Sequence, residues 1–243
     1  MLTIEKTETY GWEAAIRGMR NPMNSWEKSD SDFVDDYTYC EYGDLETKYN
    51  EDDYIDTSNM HIFIGRNDLD LMKRLCKAGT DHRKYLRMVT VYCDITAPLY
   101  WWKEFDTYKV GTVANSCSTM HKIHAKEFTL DDFSYEHLIK NEAFAYPLGG
   151  GRRGIDGLAV LNCTIECLNN TRKKYLATKD KMYWLQMIQL LPTSYEQKRT
   201  VMLNYEVLAN IYKSRKNHKL DEWHTFCDWI EMLPYSELIT GEK

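Results

Sequence analysis

A run of β-branched and apolar residues, Met88–Ile95 (MVTVYCDI), limits the fold of this chain more than any other segment. Such a run predicts a strand. Thr96-Ala97-Pro98 follows and predicts a turn into an aromatic-rich helix, with Pro98 near its first position. Because polar groups collected after rigid elements build binding sites, the next loop predicts a site for a polar ligand. Its polar and small residues are Lys109, Gly111, Thr112, Asn115, Ser116, Ser118 and His121.

The remaining segments predict a helix-rich protein of the α+β (α/β) class with a central sheet. Besides the strand above, the pattern predicts strands at residues 2–9 and 61–64, and helices at 11–19, 67–79, 158–176, 181–191, 193–214 and 220–232. Asn67 or Asp68 is expected to cap the second helix, and Thr193 or Ser194 the long one that ends near Ser214. A single domain over residues 1–243 accommodates all of these elements.

An acidic, tyrosine-rich insertion is expected at about residues 27–56, within the single domain. One interpretation is a solvated, partly ordered insertion, and the other is an acidic arm that faces a partner.

Composition and charge exclude several classes of protein. Hydrophobic residues make up 43% of the chain, which supports a sizeable core, and the net charge of −6 argues against a basic surface for extended nucleic acid. No apolar run is long enough for a membrane span, and the N-terminal residues lack the apolar core of a secretory signal. The seven scattered cysteines are therefore expected to be free thiols in a cytoplasmic protein.

Two clusters of potential metal or redox ligands have simpler interpretations. His121, His124 and Glu127 are three residues apart, but no second pair has ligand spacing, so surface residues are favoured and no metal is predicted. Cys163 and Cys167 are one helical turn apart, which favours packing in the core.

Three further features leave alternatives open. The run GGGRRG, with Arg152 and Arg153, suits either a lid over an anionic ligand or a plain surface loop. Cys117 is a bystander thiol or a nucleophile. Arg215 follows a predicted helix, where a cation also suits the helix dipole.

Two segments resemble the flavin-dependent thymidylate synthases. That family has a histidine before a strand, an A-P-[ILV]-[FY] turn into a helix, and then the signature R-H-R-x-x-S-x-N-E-x-S-x-R. Here His82 precedes the strand, Ala97–Tyr100 (APLY) supplies the turn, and Thr107-Tyr108-Lys109 stands in place of R-H-R. With one inserted residue, Asn115–Ser118 (NSCS) aligns with N-E-x-S.

The second segment matches the family without a gap. The family has L-P, then an asparagine, then an arginine that meets the dUMP phosphate. Leu191-Pro192, Asn204 and Arg215 reproduce this order, at intervals of 204 − 192 = 12 and 215 − 204 = 11 residues.

The resemblance implies the family's fold, a homotetramer, an FAD cofactor and a small anionic nucleotide ligand. By this resemblance, the residues expected to contact the nucleotide are Arg215, Ser118, Glu104 and Ser116. Those expected to contact the flavin are His82, Lys109, Tyr108, Asn115 and Asn204. No side chain is assigned a catalytic role, because flavin performs the family's chemistry.

The departures from the signature argue against the inherited reaction and against FAD. Thr107 removes the first arginine of R-H-R, Lys109 keeps a charge without the guanidinium fork, and Ser116 replaces the glutamate. One hypothesis is therefore a protein that binds or sequesters a nucleotide without turnover. The alternative is an active flavin-dependent thymidylate synthase or a related pyrimidine nucleotide methylase.

Overall fold

A computed structural model describes residues 2–35, 54–57, 60–141 and 156–241. Arg152 and Arg153, Cys40 and most of the acidic insertion lie outside these residues. The strands are β1 (Thr3–Tyr10), β2 (Asp32–Asp35), β3 (Tyr54–Thr57), β4 (Met60–Phe63), β5 (Thr90–Pro98), β6 (Val113–Ser116) and β7 (Glu196–Asn204). The helices are α1 (Trp12–Arg20), α2 (Arg66–Lys77), α3 (Leu99–Phe105), α4 (Gly157–Thr178), α5 (Lys181–Leu190), α6 (Tyr205–Arg215), α7 (Asp221–Glu231) and α8 (Glu237–Thr240).

The described strands form two sheets. The central sheet has four strands in the order β1-β5-β7-β6. In the smaller sheet, β4 lies between β2 and β3 and is antiparallel to both. The described ends of the acidic insertion, β2 and most of β3, are thus strands of this smaller sheet. The predicted helix-rich fold with a central sheet is confirmed.

The predicted helix from Thr193 or Ser194 to Ser214 is wrong in its first half. Residues 196–204 form β7, and only Tyr205–Arg215 is helical. Val201 and Leu203 are buried while Thr200 is exposed and Met202 half-buried, which is the two-residue period of a strand. Residues 196–204 contain few apolar side chains, so the sequence alone does not distinguish the two-residue period of a strand from the 3.6-residue period of a helix. β6 was also missed, because all four of its residues are exposed and their pattern resembles a loop.

Contacts divide the chain into two compact units. The first contains Met1–Thr3, Thr96–Thr107 and Ser116–Arg199, and the second contains Ile4–Ile95, Tyr108–Asn115 and Thr200–Lys243. The single-domain interpretation remains a prediction.

The first unit buries aromatic and aliphatic side chains from its helices. Trp101, Trp102 and Phe105 of α3 are at most 1% exposed, as expected for core residues. In α4, the side chains of Leu161, Ile165 and Leu168 are buried. A separate buried cluster of this unit comprises Ile123, Phe128, Phe133, Leu161, Ile165, Leu168 and Met187.

Cys163 and Cys167 are exposed on α4, so the prediction that they pack in the core is wrong. Their helix has its buried face at Leu161, Ile165 and Leu168, and a thiol two residues from such positions points away from that face. The six described cysteines are all free thiols.

The second unit contains a buried ion pair between α1 and α2. Arg20 Nε donates to Asp68 Oδ1 at 2.6 Å, and the two side chains are 4% and 0% exposed. Asp68 also accepts hydrogen bonds from the hydroxyls of Ser29 and Ser31, both at 2.7 Å. Although burial raises the pKa of Asp68, these hydrogen bonds and the Arg20 charge together hold that pKa below its ordinary value. The beginning of the acidic insertion is thereby fixed to two helices.

The predicted cap of α2 is replaced by a more distant residue. The carboxylate of Asp30 accepts the backbone N–H groups of Asn67 and Asp68, at 2.9 and 3.0 Å. Asp30 is 37 and 38 residues away from these two donors in the sequence, so no local pattern indicates that it accepts them. Among the described residues, no helix is long and apolar enough to cross a membrane.

Candidate functional site

The turn after α3 is organised by a hydroxyl where the sequence resemblance expects an arginine. Thr107 Oγ1 donates to the carbonyl of Glu104 at 2.7 Å, so Thr107 closes the C-terminal turn of α3. The adjacent Asp106 carboxylate accepts Arg199 Nη1 at 2.7 Å. Arg199 also lies over the Trp102 ring, 4.1 Å from its centroid. Arg199 therefore fixes this turn, a role that the sequence analysis missed because its partners are distant in sequence.

Tyr108 and Arg215 lie together in the second unit. Arg215 Nε donates to the Tyr108 hydroxyl at 3.0 Å, and the guanidinium lies 4.8 Å from the centroid of the buried Trp223 ring. Aromatic contacts of this kind stabilise a guanidinium and fix its plane. Arg215 is thus held by Tyr108 and Trp223 at the end of α6. The interpretation of Arg215 as a cation that suits the helix dipole does not account for these two contacts.

The loop that follows Tyr108 passes close to the start of α6. Asn204 is the N-cap residue of α6, since its Oδ1 accepts the backbone N–H of Val207 at 3.0 Å. Gly111 has a φ of +81°, and a Cβ at this position would lie 2.6 Å from Asn204 Nδ2. Only glycine fits both the left-handed backbone and the narrow space. The loop therefore contacts both ends of α6: Tyr108 contacts Arg215 at its C-terminal end, and Gly111 lies against Asn204 at its N-terminal end.

Ser118 lies in a tight turn of the first unit. Its Oγ accepts the backbone N–H groups of Met120 and His121, at 3.2 and 2.9 Å. A hydroxyl has two lone pairs and one proton, so the proton is the group that Ser118 can offer to a ligand. Next to it, the Cys117 carbonyl accepts Gln197 Nε2 at 2.7 Å, and the Cys117 amide donates to the Lys198 carbonyl at 2.9 Å.

A cavity of about 370 Å³ lies beside this turn, within the first unit. Lys126 pairs with Asp132 in its wall, and this hydrogen bond raises the pKa of the Lys126 ammonium. Burial, and then the Asp132 carboxylate, raises the pKa of Tyr195. Lys126, Asp132 and Tyr195 are not among the site residues predicted from the sequence. Thr129–Asp132 (TLDD) has the spacing of a capping box, and this local pattern could have indicated the position of Asp132.

The structure places the predicted site residues in both units. Ser118, Ser116 and Glu104 belong to the first unit, and the second contains Arg215, His82, Lys109, Tyr108, Asn115 and Asn204. Arg152 and Arg153 lie outside the described residues. His82, Lys109, Asn115 and Ser116 are exposed, and Glu104 is half-buried. Within the residues that the structure describes, no three His, Cys, Asp or Glu side chains are grouped to hold a metal ion.

Solved structures share this architecture. A flavin-dependent thymidylate synthase ThyX from Helicobacter pylori, complexed with FAD and dUMP, matches with a TM-score of 0.61 and 15% identity over 98% of each chain. The chain has the ThyX fold. A second structure of the H. pylori enzyme with FAD and dUMP gives a TM-score of 0.62 and 15% identity over 99% of this chain and 98% of the other.

A related methylase also has the ThyX fold. The UMP/dUMP methylase PolB from Streptomyces cacaoi, bound with 5-Br dUMP, gives a TM-score of 0.55 and 12% identity over 99% of this chain and 95% of the other. No protein-family model and no curated protein matches the sequence. The resemblance drawn from two short segments therefore predicts the ThyX fold correctly, and the fold extends over nearly the whole chain.

Proposed function

We propose that this chain is a divergent ThyX-like protein that binds a pyrimidine-nucleotide-type ligand without performing the family's methyl transfer. Solved proteins of the same fold are complexed with dUMP or its 5-bromo derivative, which identifies the class of ligand to test. Binding without turnover would sequester the nucleotide.

The observation that carries this proposal is the arrangement of Arg215 with Tyr108 and Trp223. A guanidinium recognises a phosphate through its planar fork, and recognition is stronger when the plane is fixed before the ligand arrives. The Tyr108 hydroxyl and the Trp223 ring fix that plane in the structure. Arg215 is also the residue that the resemblance assigns to the nucleotide phosphate. Geometry and resemblance therefore support the same role.

Ser118, in the first unit, is a separate residue to which the resemblance assigns a nucleotide contact. Both of its lone pairs are engaged by backbone N–H groups, so the hydroxyl acts toward a ligand as a donor. Phosphate and pyrimidine carbonyl oxygens are acceptors, which makes a nucleotide a suitable partner for this proton.

The residues at the signature turn do not fit FAD well. FAD carries a pyrophosphate with two negative charges, and Thr107-Tyr108-Lys109 offers one cation in place of two. The Thr107 hydroxyl donates to the Glu104 carbonyl, and Asn204 Oδ1 caps α6. A lost charge-assisted hydrogen bond costs roughly 1.5–3 kcal/mol, so weak flavin binding is expected. We therefore propose no flavin-dependent step for this chain.

Calorimetric titration with dUMP tests the binding. We expect saturable binding to the wild type and roughly 10- to 100-fold weaker binding to Arg215→Ala, because a charged hydrogen-bond donor is lost. Lys213→Gln is the matched control, since it removes a cation from α6 without touching the Tyr108 and Trp223 rings. Equal affinity of the wild type and Arg215→Ala would refute the role of Arg215.

Absorption spectroscopy tests the cofactor part. After incubation with FAD and gel filtration, the protein should be colourless. A retained flavin spectrum together with dTMP formation would establish the alternative, an active synthase or methylase.

The homotetramer implied by the resemblance belongs to the same proposal, and light scattering of the purified protein measures its mass directly.

A further inference from the structure

Two thiols on α4 line one cavity of the first unit. Cys163 and Cys167 are both exposed free thiols, and they are four residues apart on a continuous helix. Both belong to the wall of a cavity of about 360 Å³ between α4 and α5. None of the residues assigned to the nucleotide or the flavin is among the described residues that line this cavity, so it lies outside the proposed function.

The geometry of an α-helix directs the two thiols toward one point. Residues four apart lie on the same face of a helix, with their Cβ atoms about 5–6 Å apart. Helical side chains also lean toward the N-terminus of their helix, so the side chain of Cys167 leans over the turn that carries Cys163. A single atom between the two sulfurs can therefore be bound by both.

The helical turn at Cys167 is fixed by contacts with α5. Thr171, which is 4% exposed, donates from Oγ1 to the Cys167 carbonyl at 2.8 Å and accepts from Gln186 Nε2 at 3.0 Å. A disulfide needs Cβ atoms about 3.5–4.5 Å apart, which is closer than a regular helix holds them. Because this turn is fixed, the pair of thiols suits a bridging atom better than a direct S–S bond.

The donor atoms in the wall of the cavity favour a soft cation that needs only two ligands. A structural Zn²⁺ site takes four ligands, whereas no three His, Cys, Asp or Glu side chains are grouped to hold a metal ion in the described part of the chain. Glu166 lines the cavity, but carboxylates suit hard cations, and thiolates select soft ones such as Cu(I). With metal–sulfur bonds of about 2.3 Å, a linear unit of two thiolates and one cation spans roughly 4.6 Å between the sulfurs. Two Cβ atoms about 5–6 Å apart accommodate this span.

Lys174 places a positive charge on the same side of α4. It follows Cys167 by seven residues, which is about two helical turns, and it lines the same cavity. Its ammonium nitrogen lies 5.7 Å from the centroid of the Tyr183 ring. Two thiolates with one monovalent cation carry a net negative charge, and the ammonium group offsets it.

We propose that Cys163 and Cys167 form a two-coordinate thiolate site for Cu(I). Each thiol releases its proton when it binds, and the copper stays monovalent, so no oxidant or reductant is needed. The amide and hydroxyl groups in the wall are oxygen and nitrogen donors that a soft cation disfavours. The two sulfurs therefore define the site.

Anaerobic titration of the reduced protein with Cu(I), in competition with the coloured chelator bicinchoninate, tests the proposal. We expect the wild type to bind one Cu(I) at least roughly 100-fold more tightly than Cys163→Ser or Cys167→Ser does, because two ligands on one rigid helix act together. Cys117→Ser, which removes an exposed thiol of another segment, should bind Cu(I) as the wild type does. Equal affinity of the wild type and either α4 serine variant would overturn the site.

A change of spacing is the matched control. Cys163→Ser/Asn162→Cys keeps the number of thiols but moves one of them by about 100° around α4, so tight binding should be lost. Both positions are exposed, and circular dichroism should show an unchanged helix content. X-ray absorption of the Cu(I)-loaded wild type should show two sulfur neighbours of the metal. Tight binding by the spacing variant, or oxygen and nitrogen neighbours in place of the two sulfurs, would contradict the proposal.

Discussion

Replacement of Asp68 by asparagine should destabilise the second unit more than any surface change on α2. The carboxylate is fully buried, and it accepts Arg20, Ser29 and Ser31 in addition to the backbone N–H of Asp30. Asparagine leaves the Arg20 guanidinium buried without its counter-charge. Breaking a buried pair in this way costs about 3–5 kcal/mol. For a protein of this size, the loss corresponds to a melting temperature lower by roughly 6–20 °C.

The assay is urea unfolding followed by tryptophan fluorescence, with Asp70→Asn as the control. Asp70 lies on the same helix and is exposed, so its replacement should change the free energy of unfolding by less than about 0.5 kcal/mol. A cost below about 1 kcal/mol for Asp68→Asn would refute the role assigned to the pair.

The stability that the Asp68 carboxylate contributes should depend on pH. The folded pKa of Asp68 lies below its ordinary value of 3.8, so the carboxylate contributes its full stability above that value. The contribution is lost as the pH falls through the folded pKa. The difference in unfolding free energy between wild type and Asp68→Asn should therefore be constant near neutral pH and shrink below about pH 4. A difference that grows with acidification would contradict the direction of the shift.

Three further predictions concern the site loop and the thiols. Gly111→Ala should lower the free energy of unfolding and weaken dUMP binding, because Gly111 has a positive φ and a Cβ there would approach Asn204. Gly79→Ala is the control: its φ is also positive but the space around it is open, so it should cost only the backbone strain of about 1–2 kcal/mol. Equal unfolding free energies of the two variants would contradict this. Tyr108→Phe removes the hydroxyl that accepts a hydrogen bond from Arg215. Calorimetry should show a roughly fivefold weaker dUMP affinity, with little change in melting temperature. Unchanged affinity would argue against a role for this hydrogen bond. Burial raises the pKa of Cys93 to about 12 and that of Cys227 to about 11. Iodoacetamide at pH 8 should therefore not label either thiol until the chain unfolds, which peptide mass spectrometry measures. Labelling of either thiol in the folded protein would contradict its burial. The thiols expected to react first are the exposed ones: Cys117, Cys163 and Cys167.

Much of the fold is readable from local patterns in the sequence. β5 is predicted because β-branched and apolar residues follow one another in it, and Val91, Cys93, Ile95 and Ala97 are buried on one face of the strand. α4 is predicted because its apolar residues recur every three to four positions. The first half of the predicted long helix failed at β7, since Gln197, Lys198 and Arg199 carry no apolar signal. Their burial depends on partners such as Cys117, Trp102 and Asp106, which are about 80 to 95 residues away in the sequence.

The assignment of the site residues stays a prediction, and their side-chain contacts could not be read from the sequence. The intervals Pro192–Asn204–Arg215 match the family's spacing, and Asn204 and Arg215 lie at the two ends of α6. No sequence pattern shows that Tyr108 and Trp223 hold Arg215. Asn204 was expected near flavin, and the structure shows its side chain capping α6. Long-range contacts of this kind arise from the tertiary fold, so a single sequence does not contain a local signal for them.

Proton NMR of dUMP during a titration with the protein tests the central claim most directly. The uracil H5 and H6 signals report binding through shift and broadening, and the H5 signal disappears if the C5 carbon is methylated. With FAD, NADPH and methylene-tetrahydrofolate present, the account predicts that both signals shift and broaden while the H5 area stays constant. Decay of H5 with the appearance of a thymine methyl signal would show turnover, and unchanged signals would show that dUMP does not bind.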